Sequence, residues 1–480
     1  MDNVLVIDDA VTYPEGNVGF SPSEFYLEYP FELSSIARAS NNVYAMVREC
    51  LHQLKLDNDN YGTKEWNPIG QLVRKGDTVL LKPNWVSHKN KNRAVNDNLK
   101  CLVTHPSVVR TIVDYVLIAR NHIEGDLRII IGDAPMQGTD LEELFDIAGY
   151  RHLFSFLDAN QVKYEVSDFR KHLVDLHNGV LSQIHENANS YGSVSIDLGE
   201  HSLHAEFDRN NPQYKVSDYL SVETSKYHSN GKHVYEISKV ALGANLIINI
   251  PKPKTHRLAG FTGAMKNMVG LVYEKASLPH RKIGATDTGK GDAYRVSSSF
   301  KRLMEYFDEK KTEQSLSGRK ELARLYSFFE RAFYLCGKSL SGDQVRTGSW
   351  YGNDTIWRTI IDINNIIKYA DVNSIVDFDK KQRNTLIIAD MIVSGEGEGP
   401  IGPSPKQTNA IMGGLSNEAF DIFLSRFMGF DGDNIPLIKH IQCLKDANNT
   451  IQIFIKKDDR FIKENKMEPD WRFIPHSCWE

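Results

Sequence analysis

Cationic side chains follow an apolar run in the middle of the chain, in the segment LIINIPKPKTHRLAGFTGAMKNMVG (residues 246–270). The cations are Lys252, Lys254, His256, Arg257 and Lys266. A chain needs no such charge merely to turn, whereas lysine and arginine bind phosphate and carboxylate groups. Two prolines among the cations restrict the backbone and so fix the direction of the lysines. The segment is therefore either a solvated basic loop or one wall of an anion site.

The same segment contains Gly260, Gly263 and Gly270. Glycine lets the backbone approach a ligand closely, and exposed backbone N–H groups can then hold an anion. The segment is not a P-loop, because G-x-x-x-x-G-K-[ST] is missing, and it is not a dinucleotide fingerprint, because G-x-G-x-x-G is missing. The glycines therefore support an anion site without indicating a nucleotide.

Acidic side chains follow two other apolar runs. They are Asp133 in LRIIIGDAP (127–135) and Asp390, Glu396 and Glu398 in NTLIIADMIVSGEGEGP (384–400). Carboxylates could hold Mg²⁺ or Mn²⁺ through their oxygen atoms, or serve as acid and base. Glu396 and Glu398 face the same side only if their backbone is extended. The alternative is that the glycine-rich loop at 395–405 is a flexible lid with glycine hinges.

The elements that position these groups are predicted from apolar runs. Four runs are continuous rather than alternating, which is typical of strands buried on both faces of a mostly parallel sheet. They are TVLLKPN (78–84), LRIIIGDAP (127–135), NLIINIPKPK (245–254) and NTLIIADMIVSGEGEGP (384–400), with NVLVIDD (3–9) as a fifth candidate. Helical patterns cover 105–121, 140–150 and 417–430. The predicted fold is α/β, with a mostly parallel central sheet flanked by helices.

Ligands of open α/β sheets bind outside the carboxyl ends of the strands. If the four runs are parallel strands, Lys82 and Asn84 therefore join the cations and carboxylates at one edge of the sheet. An edge with both signs of charge suits an anionic substrate, alone or bridged by a divalent cation.

Two segments interrupt the alternation of strands and helices. Residues 170–238 are polar and contain short alternating runs, which predicts a β-rich insertion. Residues 296–340 have helical patterns and are interpreted as a helical insertion. Because the candidate motifs are spread from residue 80 to 430, the expected organisation is one composite α/β domain over residues 1–480.

Composition excludes several classes of protein. A net charge of −5 argues against a nucleic-acid binder. No apolar run reaches the roughly 18 residues of a membrane helix, and the N-terminus does not have the pattern of a secretory signal. The five cysteines are scattered and form no C-x-x-C pair, which fits reduced thiols in a cytoplasmic protein and gives no zinc or iron–sulfur pattern.

A further polar cluster lies in GSWYGNDTIWRTIIDINN (348–365). Asp354 or Thr355 could cap the helix that follows. Asp354, Arg358 and Asp362 would then share one face of that helix. They are either part of the site or a ladder of exposed ion pairs.

Taken together, the motifs resemble the DUF362 family, whose name records an unassigned function. The matching pieces are LLKPNWV (80–86), VTHPSVVR (103–110), GDAP (132–135), INIPKPKTH (248–256), TGAMKNMVG (262–270), GNDTIWR (352–358), DIN (362–364) and EGEGP (396–400). Some family members carry a ferredoxin segment, but no iron–sulfur cluster is expected here because clustered cysteines are missing. The family's association with polysaccharide and cofactor biosynthesis implies a small anionic metabolite as the partner, rather than a macromolecular substrate. No nucleic-acid or membrane partner is expected from the charge and hydropathy of the chain.

The hypothesis is an enzyme acting on a phosphorylated or carboxylated small metabolite, with acid/base chemistry that Mg²⁺ or Mn²⁺ could assist. His256 is the expected general acid or base, since a histidine titrates near neutral pH. The catalytic candidates are His256, Asp133 and Lys254. The substrate-binding candidates are Lys82, Asn84, Lys252, Lys266, Asn267, Asn353 and Arg358. The metal candidates are Asp133, Asp390, Glu396 and Glu398. Two alternatives stay open, a non-catalytic anion-binding protein and a redox or metal-cofactor protein like the cluster-bearing relatives.

Overall fold

The structure is a computed structural model that describes residues 3–97, 99–123, 126–177, 180–188, 190–443, 450–458, 460–464 and 471–479. Its strands are β1 (Asn3–Ile7), β2 (Thr78–Pro83), β3 (Arg128–Asp133), β4 (Glu165–Asp168), β5 (His172–His177), β6 (Val180–Glu186), β7 (Ser193–Asp197), β8 (Tyr214–Lys215), β9 (His228–Ser229), β10 (Lys232–Ser238), β11 (Leu246–Ile250), β12 (Lys254–His256), β13 (Gly260–Thr262), β14 (Arg281–Lys282), β15 (Asn384–Glu398), β16 (Gly402–Gly414), β17 (Ile451–Lys457) and β18 (Arg460–Glu464). Its helices are α1 (Asn42–Gln53), α2 (Pro106–His122), α3 (Leu141–Ala148), α4 (Tyr150–Ala159), α5 (Ser221–Tyr227), α6 (Lys239–Gly243), α7 (Ala264–Asn267), α8 (Ser299–Leu316), α9 (Lys320–Ser341), α10 (Ile356–Tyr369), α11 (Asn417–Phe427) and α12 (Pro436–Cys443).

One large sheet organises the molecule, with strand order β18-β17-β1-β16-β15-β11-β2-β3-β4. The strands β15, β11, β2, β3 and β4 are parallel neighbours, and β1 is parallel to β17. β16 is antiparallel to both β1 and β15, and β18 is antiparallel to β17. The predicted mostly parallel α/β sheet is confirmed. The four apolar runs are adjacent strands in it, so their carboxyl ends lie at one edge.

The sheet is covered on both faces, as its continuous apolar runs predict. Leu80, Ile130 and Ile247 point to the core formed with α10, α11 and α12. Neighbouring residues such as Val79 and Ile131 point to the core formed with α1, α2 and α4. These buried layers fix the strands, and therefore the edge where the polar side chains lie.

The glycine-rich segment at 395–405 is not the loop expected from its sequence. β15 continues to Glu398 and β16 begins at Gly402, so Glu396 lies opposite Ser404 in a long hairpin. Its backbone also pairs with β12 at Gly395 and Lys254. Pairing with two strands stabilises an extended conformation that the local glycine content does not favour.

The two segments that interrupt the repeating pattern have the predicted secondary structure. The strands β5 and β6 pair antiparallel with each other, and β7, β9 and β10 form a small antiparallel sheet. Residues 299–341 form the helices α8 and α9. The division of the chain into one domain with two insertions stays a prediction.

The five cysteines are free thiols. Among the described residues, no helix combines the length and the apolar character needed to cross a membrane.

Candidate functional site

A cavity of about 220 Å³ lies at the carboxyl edge of β2, β3 and β11. It is called the anion cavity below. Its polar lining residues are Asn84, Asp133, Gln137, Ser217, Asp218, Tyr219, Lys254, His256, Arg257, Thr262, Lys266, Asn267, Lys275 and His280. Four lysine or arginine side chains thus face two carboxylates, which leaves an excess of positive charge.

One of these carboxylates, Asp133, already has an ion-pair partner and a hydrogen-bond donor within the protein. Lys82 Nζ lies 2.8 Å from Asp133 Oδ1, and the Trp85 N–H donates to Asp133 Oδ2 at 2.7 Å. Lys82 also donates to the Pro83 carbonyl at 2.8 Å. Burial lowers the pKa of the Lys82 ammonium, while Asp133 opposes this shift. The Lys82–Asp133 pair holds the ends of β2 and β3 together. Lys82 therefore does not provide a free cation in the cavity lining.

Lys254 reaches the cavity but its ammonium is well bonded. It donates to Asn84 Oδ1 and to the Leu102 carbonyl, both at 2.8 Å. Asn84 Nδ2 in turn donates to Asn267 Oδ1 at 2.8 Å. Burial, reinforced by the charge of Lys252, lowers the pKa of Lys254 to about 7. These contacts make Lys254 the residue that orients Asn84 and Asn267 toward the cavity.

Lys252 and Asp390 form a second buried pair beside the cavity, with both side chains fully buried and 3.0 Å between Nζ and Oδ2. Tyr13 donates to Asp390 Oδ1 at 2.5 Å, and the His105 N–H donates to Oδ2 at 2.7 Å. Burial lowers the pKa of Lys252. Neither Lys252 nor Asp390 lines the cavity. The predicted substrate and metal roles of this pair therefore have no support in the geometry.

Lys266 and Arg257 differ from these bonded cations. Within the described part of the chain, neither side chain makes a hydrogen bond or an ion pair, although both line the cavity. Burial lowers the pKa of Lys266 to about 8, and burial together with Arg281 lowers the pKa of Arg257. Two half-buried cations without a counter-charge create a strong local preference for an anion.

The backbone fixes which nitrogen of His256 carries the proton. Nδ1 accepts hydrogen bonds from the N–H groups of Leu258 and Ala259, at 3.1 and 3.2 Å. The neutral ring must therefore carry its proton on Nε2. Burial and the charge of Lys266 hold the pKa of His256 well below its ordinary value. His256 is a neutral hydrogen-bond donor here, and its role as general acid or base stays a prediction.

Lys275 and His280 were not predicted and also line the cavity. Lys275 donates to the Ala134 carbonyl at 2.8 Å, and burial lowers its pKa to about 7. His280 Nδ1 lies 2.9 Å from the Leu278 carbonyl, so Nδ1 carries the proton and Nε2 is an acceptor. Burial lowers the pKa of His280 to about 3. Both residues lie C-terminal to the segment 246–270, and no motif or residue spacing in the sequence identifies them as site residues.

Asn353 and Arg358 lie outside the cavity lining. Thr355 occupies the N-cap position of α10, and Asn353 Oδ1 accepts the N–H groups of Thr355 and Ile356 at 3.0 Å. Arg358 lies 2.8 Å from Glu206 and 3.2 Å from Asp354. Both side chains hold α10 in place, and their role in substrate binding stays a prediction.

The predicted metal ligands do not converge. Glu396 Oε2 lies 3.4 Å from Lys406 and accepts the Ile474 N–H, and Glu398 Oε2 lies 3.2 Å from His476. Asp133 and Asp390 are paired with the two buried lysines. No group of three or more His, Cys, Asp or Glu side chains is arranged to hold a metal ion in the described ranges. These four carboxylates are therefore placed to stabilise the strand ends.

Comparison with known proteins gives one family match. The model of DUF362, described as a domain of unknown function, matches residues 79–192 and 200–426, which include most of both interrupting segments. No curated protein sequence matches the chain significantly. The structure of the lactate racemase apoprotein from Thermoanaerobacterium thermosaccharolyticum is similar with a TM-score of 0.31 and 13% identity. That similarity covers 80% of this chain and 55% of the racemase chain, so this chain spans about half the length of its neighbour.

Proposed function

The chain belongs to the DUF362 family, and we propose that it is an enzyme that binds a small phosphorylated or carboxylated metabolite in the anion cavity and transfers a proton to or from it. The observation that carries this proposal is the pair of unbonded cations, Lys266 and Arg257, in a cavity with an excess of positive charge. A protein that needed these groups only for stability would pair them, since an unpaired buried charge is costly.

The anion would be held by Arg257, by the protonated Lys275, by His256 Nε2–H and, in molecules in which it is protonated, by the Lys266 ammonium. An arginine guanidinium can bind a carboxylate or phosphate through two parallel hydrogen bonds. The His256 donor adds a directional contact without adding charge, because its ring is neutral. Asn84 and Asn267, oriented by Lys254, supply neutral contacts on the opposite side.

Lys266 is the proposed base. With a pKa of about 8, an appreciable fraction of its side chain is a neutral amine near pH 7–8, which is the range in which general-base catalysis is efficient. The amine takes a proton from the substrate and becomes an ammonium, and the electron pair stays on the substrate. Arg257 and the His256 donor then stabilise the negative charge that develops.

Lys266→Met tests this proposal directly. We expect phosphates and carboxylates that raise the melting temperature of the wild-type protein to bind the variant at least about tenfold more weakly, since one charge-assisted hydrogen bond contributes about 1.5–3 kcal/mol. Any conversion of the stabilising compound, followed by mass spectrometry, should also be lost. Lys368→Met is the matched control, because Lys368 is a half-buried lysine that pairs with Glu418 away from the cavity.

Three results of this test have distinct meanings. Stabilisation by an anion without any conversion would establish a non-catalytic anion-binding protein. Equal loss in the Lys368→Met control would show that the effect is general and would reject the site. Conversion that persists in Lys266→Met would reject Lys266 as the base.

The affinity for anions should fall as the pH rises from about 6.5 to about 8.5. Lys254 and Lys275, with pKa values of about 7, and Lys266, with a pKa of about 8, lose their charge across this range. A bound anion favours the charged forms, so binding should take up protons. Isothermal titration calorimetry with inorganic phosphate in buffers of different ionisation enthalpy measures this uptake. An affinity that stays constant or increases over this range, after correction for the ionisation of phosphate itself, would contradict the assignment.

A further inference from the structure

A second, larger cavity of about 1070 Å³ adjoins the anion cavity, and it is called the outer cleft below. Met136, Gln137 and Ile401 line both spaces, so the two meet at these residues. The outer cleft is bounded by α3, by the end of β4 and by β5. We propose that the substrate is elongated, with its anionic end in the anion cavity and an uncharged body rich in hydroxyl or amide groups in the outer cleft. This inference rests on the proposed function of the anion cavity.

The sizes of the two cavities favour an elongated substrate. Cavities that enclose a whole metabolite of ordinary size have volumes of about 300–1,000 Å³. The anion cavity, at about 220 Å³, is smaller than this range and suits only a carboxylate or phosphate with a few attached atoms. The outer cleft is large enough for the remainder of a longer molecule. A substrate that used only the anion cavity would leave the adjoining space without a role.

The charged residues of the outer cleft favour an uncharged body for this substrate. The outer cleft contains four lysine or arginine residues and four acidic residues, in contrast to the positive excess of the anion cavity. They are Lys89, Lys91, Arg151, Arg170, Asp140, Glu142, Glu143 and Asp168. Burial lowers the pKa of His88, the remaining titratable group there, which favours its neutral form. A balanced lining does not select a second charged group.

Contacts within the outer cleft explain why charge balance still allows specific recognition. Lys89 lies 3.3 Å from Glu143, Arg151 pairs with Glu142, and Arg170 lies 2.5 Å from Asp168. Paired side chains of this kind still offer lone pairs and N–H groups at their outer sides. Hydroxyl and amide groups, which both donate and accept, match such a lining better than an apolar body does.

Hydrogen bonds from Arg170 fix the backbone at the junction between the anion cavity and the outer cleft. Arg170 donates to the carbonyls of Met136, Gln137 and Thr139 at 2.8–2.9 Å, which fixes the backbone that separates them. Gln137 Nε2 donates to Tyr219, whereas Gln137 Oε1 is buried and has no hydrogen-bond partner among the described residues. An unsatisfied buried oxygen costs about 1–3 kcal/mol. A ligand hydroxyl or N–H at the junction would remove this cost.

The test fills the outer cleft beside the junction with a residue that does not line the anion cavity. Val174 lines only the outer cleft, and its N–H donates to the Gln137 carbonyl at 3.2 Å, so Val174→Trp adds bulk beside the junction, and Val174→Ile is the control of similar size. Affinities are measured for inorganic phosphate against a hexose phosphate, and for acetate against an N-acetylated dipeptide. We expect at least one elongated anion to bind the wild-type protein at least tenfold more tightly than its short counterpart. Val174→Trp should abolish this difference and change the affinity for the short anion less than twofold.

The outcomes separate the inference from the proposal on which it rests. If the short anions bind but neither elongated anion binds more tightly, the outer cleft is not a substrate site. The same conclusion follows if Val174→Trp leaves the affinity of the tighter elongated anion unchanged. If neither phosphate nor acetate binds the wild-type protein, the anion cavity itself has been assigned wrongly. A preference for the hexose phosphate or for the dipeptide identifies hydroxyl or amide recognition.

Discussion

Replacing Asp390 by alanine is expected to lower the free energy of unfolding by about 3–5 kcal/mol, because it leaves the ammonium of Lys252 buried without its counter-charge. Both side chains are fully buried. The substitution also removes the acceptor for the Tyr13 hydroxyl and the His105 N–H. Urea unfolding followed by circular dichroism measures the change, with the midpoint and slope fitted together.

Two further variants separate the charge effect from the loss of packing. Removing both charges in a Lys252→Met/Asp390→Leu double variant should recover much of the lost stability, since a buried pair contributes little compared with an apolar pair of similar size. Asp354→Ala removes a carboxylate that is 42% exposed and should change stability by about 0–1 kcal/mol. If Asp390→Ala lowered the free energy of unfolding as little as Asp354→Ala does, the buried pair would not stabilise the strand ends.

Gly270→Ala is expected to disrupt both folding and anion binding. A β-carbon at this position would lie 2.1 Å from Asp133 Oδ1 and 2.8 Å from Lys82 Nζ, closer than real contacts allow. Asp133 and Lys82 must then separate, although each is buried against the other. We expect a loss of about 1–3 kcal/mol in stability from overpacking, and an affinity for phosphate at least about tenfold weaker.

Gly243→Ala is the control for this prediction. A β-carbon on Gly243 meets only Val372, at 3.9 Å, which is an ordinary contact. It should leave both the melting temperature and the affinity for phosphate close to those of the wild-type protein. Normal stability and normal phosphate binding in Gly270→Ala would show that the Lys82–Asp133 pair can move without consequence, which contradicts its role in shaping the cavity.

The sheet could be predicted from sequence because burial on both faces leaves a direct signal. A strand covered on each side must be apolar at successive positions, as in residues 246–250, whereas a half-exposed strand alternates. Because continuous apolar runs are typical of parallel strands, the sequence also predicted that the carboxyl ends of four strands lie at one edge of the sheet. The β15–β16 hairpin escaped prediction because its glycines indicate a loop, while its additional pairing with β12 comes from a distant part of the chain.

The candidate site could be predicted only in part. Asn84, Asp133, Lys254, His256, Lys266 and Asn267 follow strand ends or lie in the glycine-rich segment, and the structure places all of them in the cavity lining. Residue type did not reveal which polar groups pair inside the protein. Asp390 satisfies Lys252, and Asn353 accepts backbone N–H groups at the start of α10, because their partners lie in other elements. Lys275 and His280 join the site only through the fold.

The most direct test of the anion cavity is a crystal structure with selenate, whose selenium gives an anomalous signal and whose shape resembles phosphate. We expect an anomalous peak in the cavity, with selenate oxygens about 3 Å from Lys266 Nζ or the Arg257 guanidinium. The peak should be missing in crystals of Lys266→Met grown and soaked in the same way. Selenate found only at surface lysines, at a concentration that saturates its stabilisation of the wild-type protein, would contradict the assignment of this cavity as an anion site.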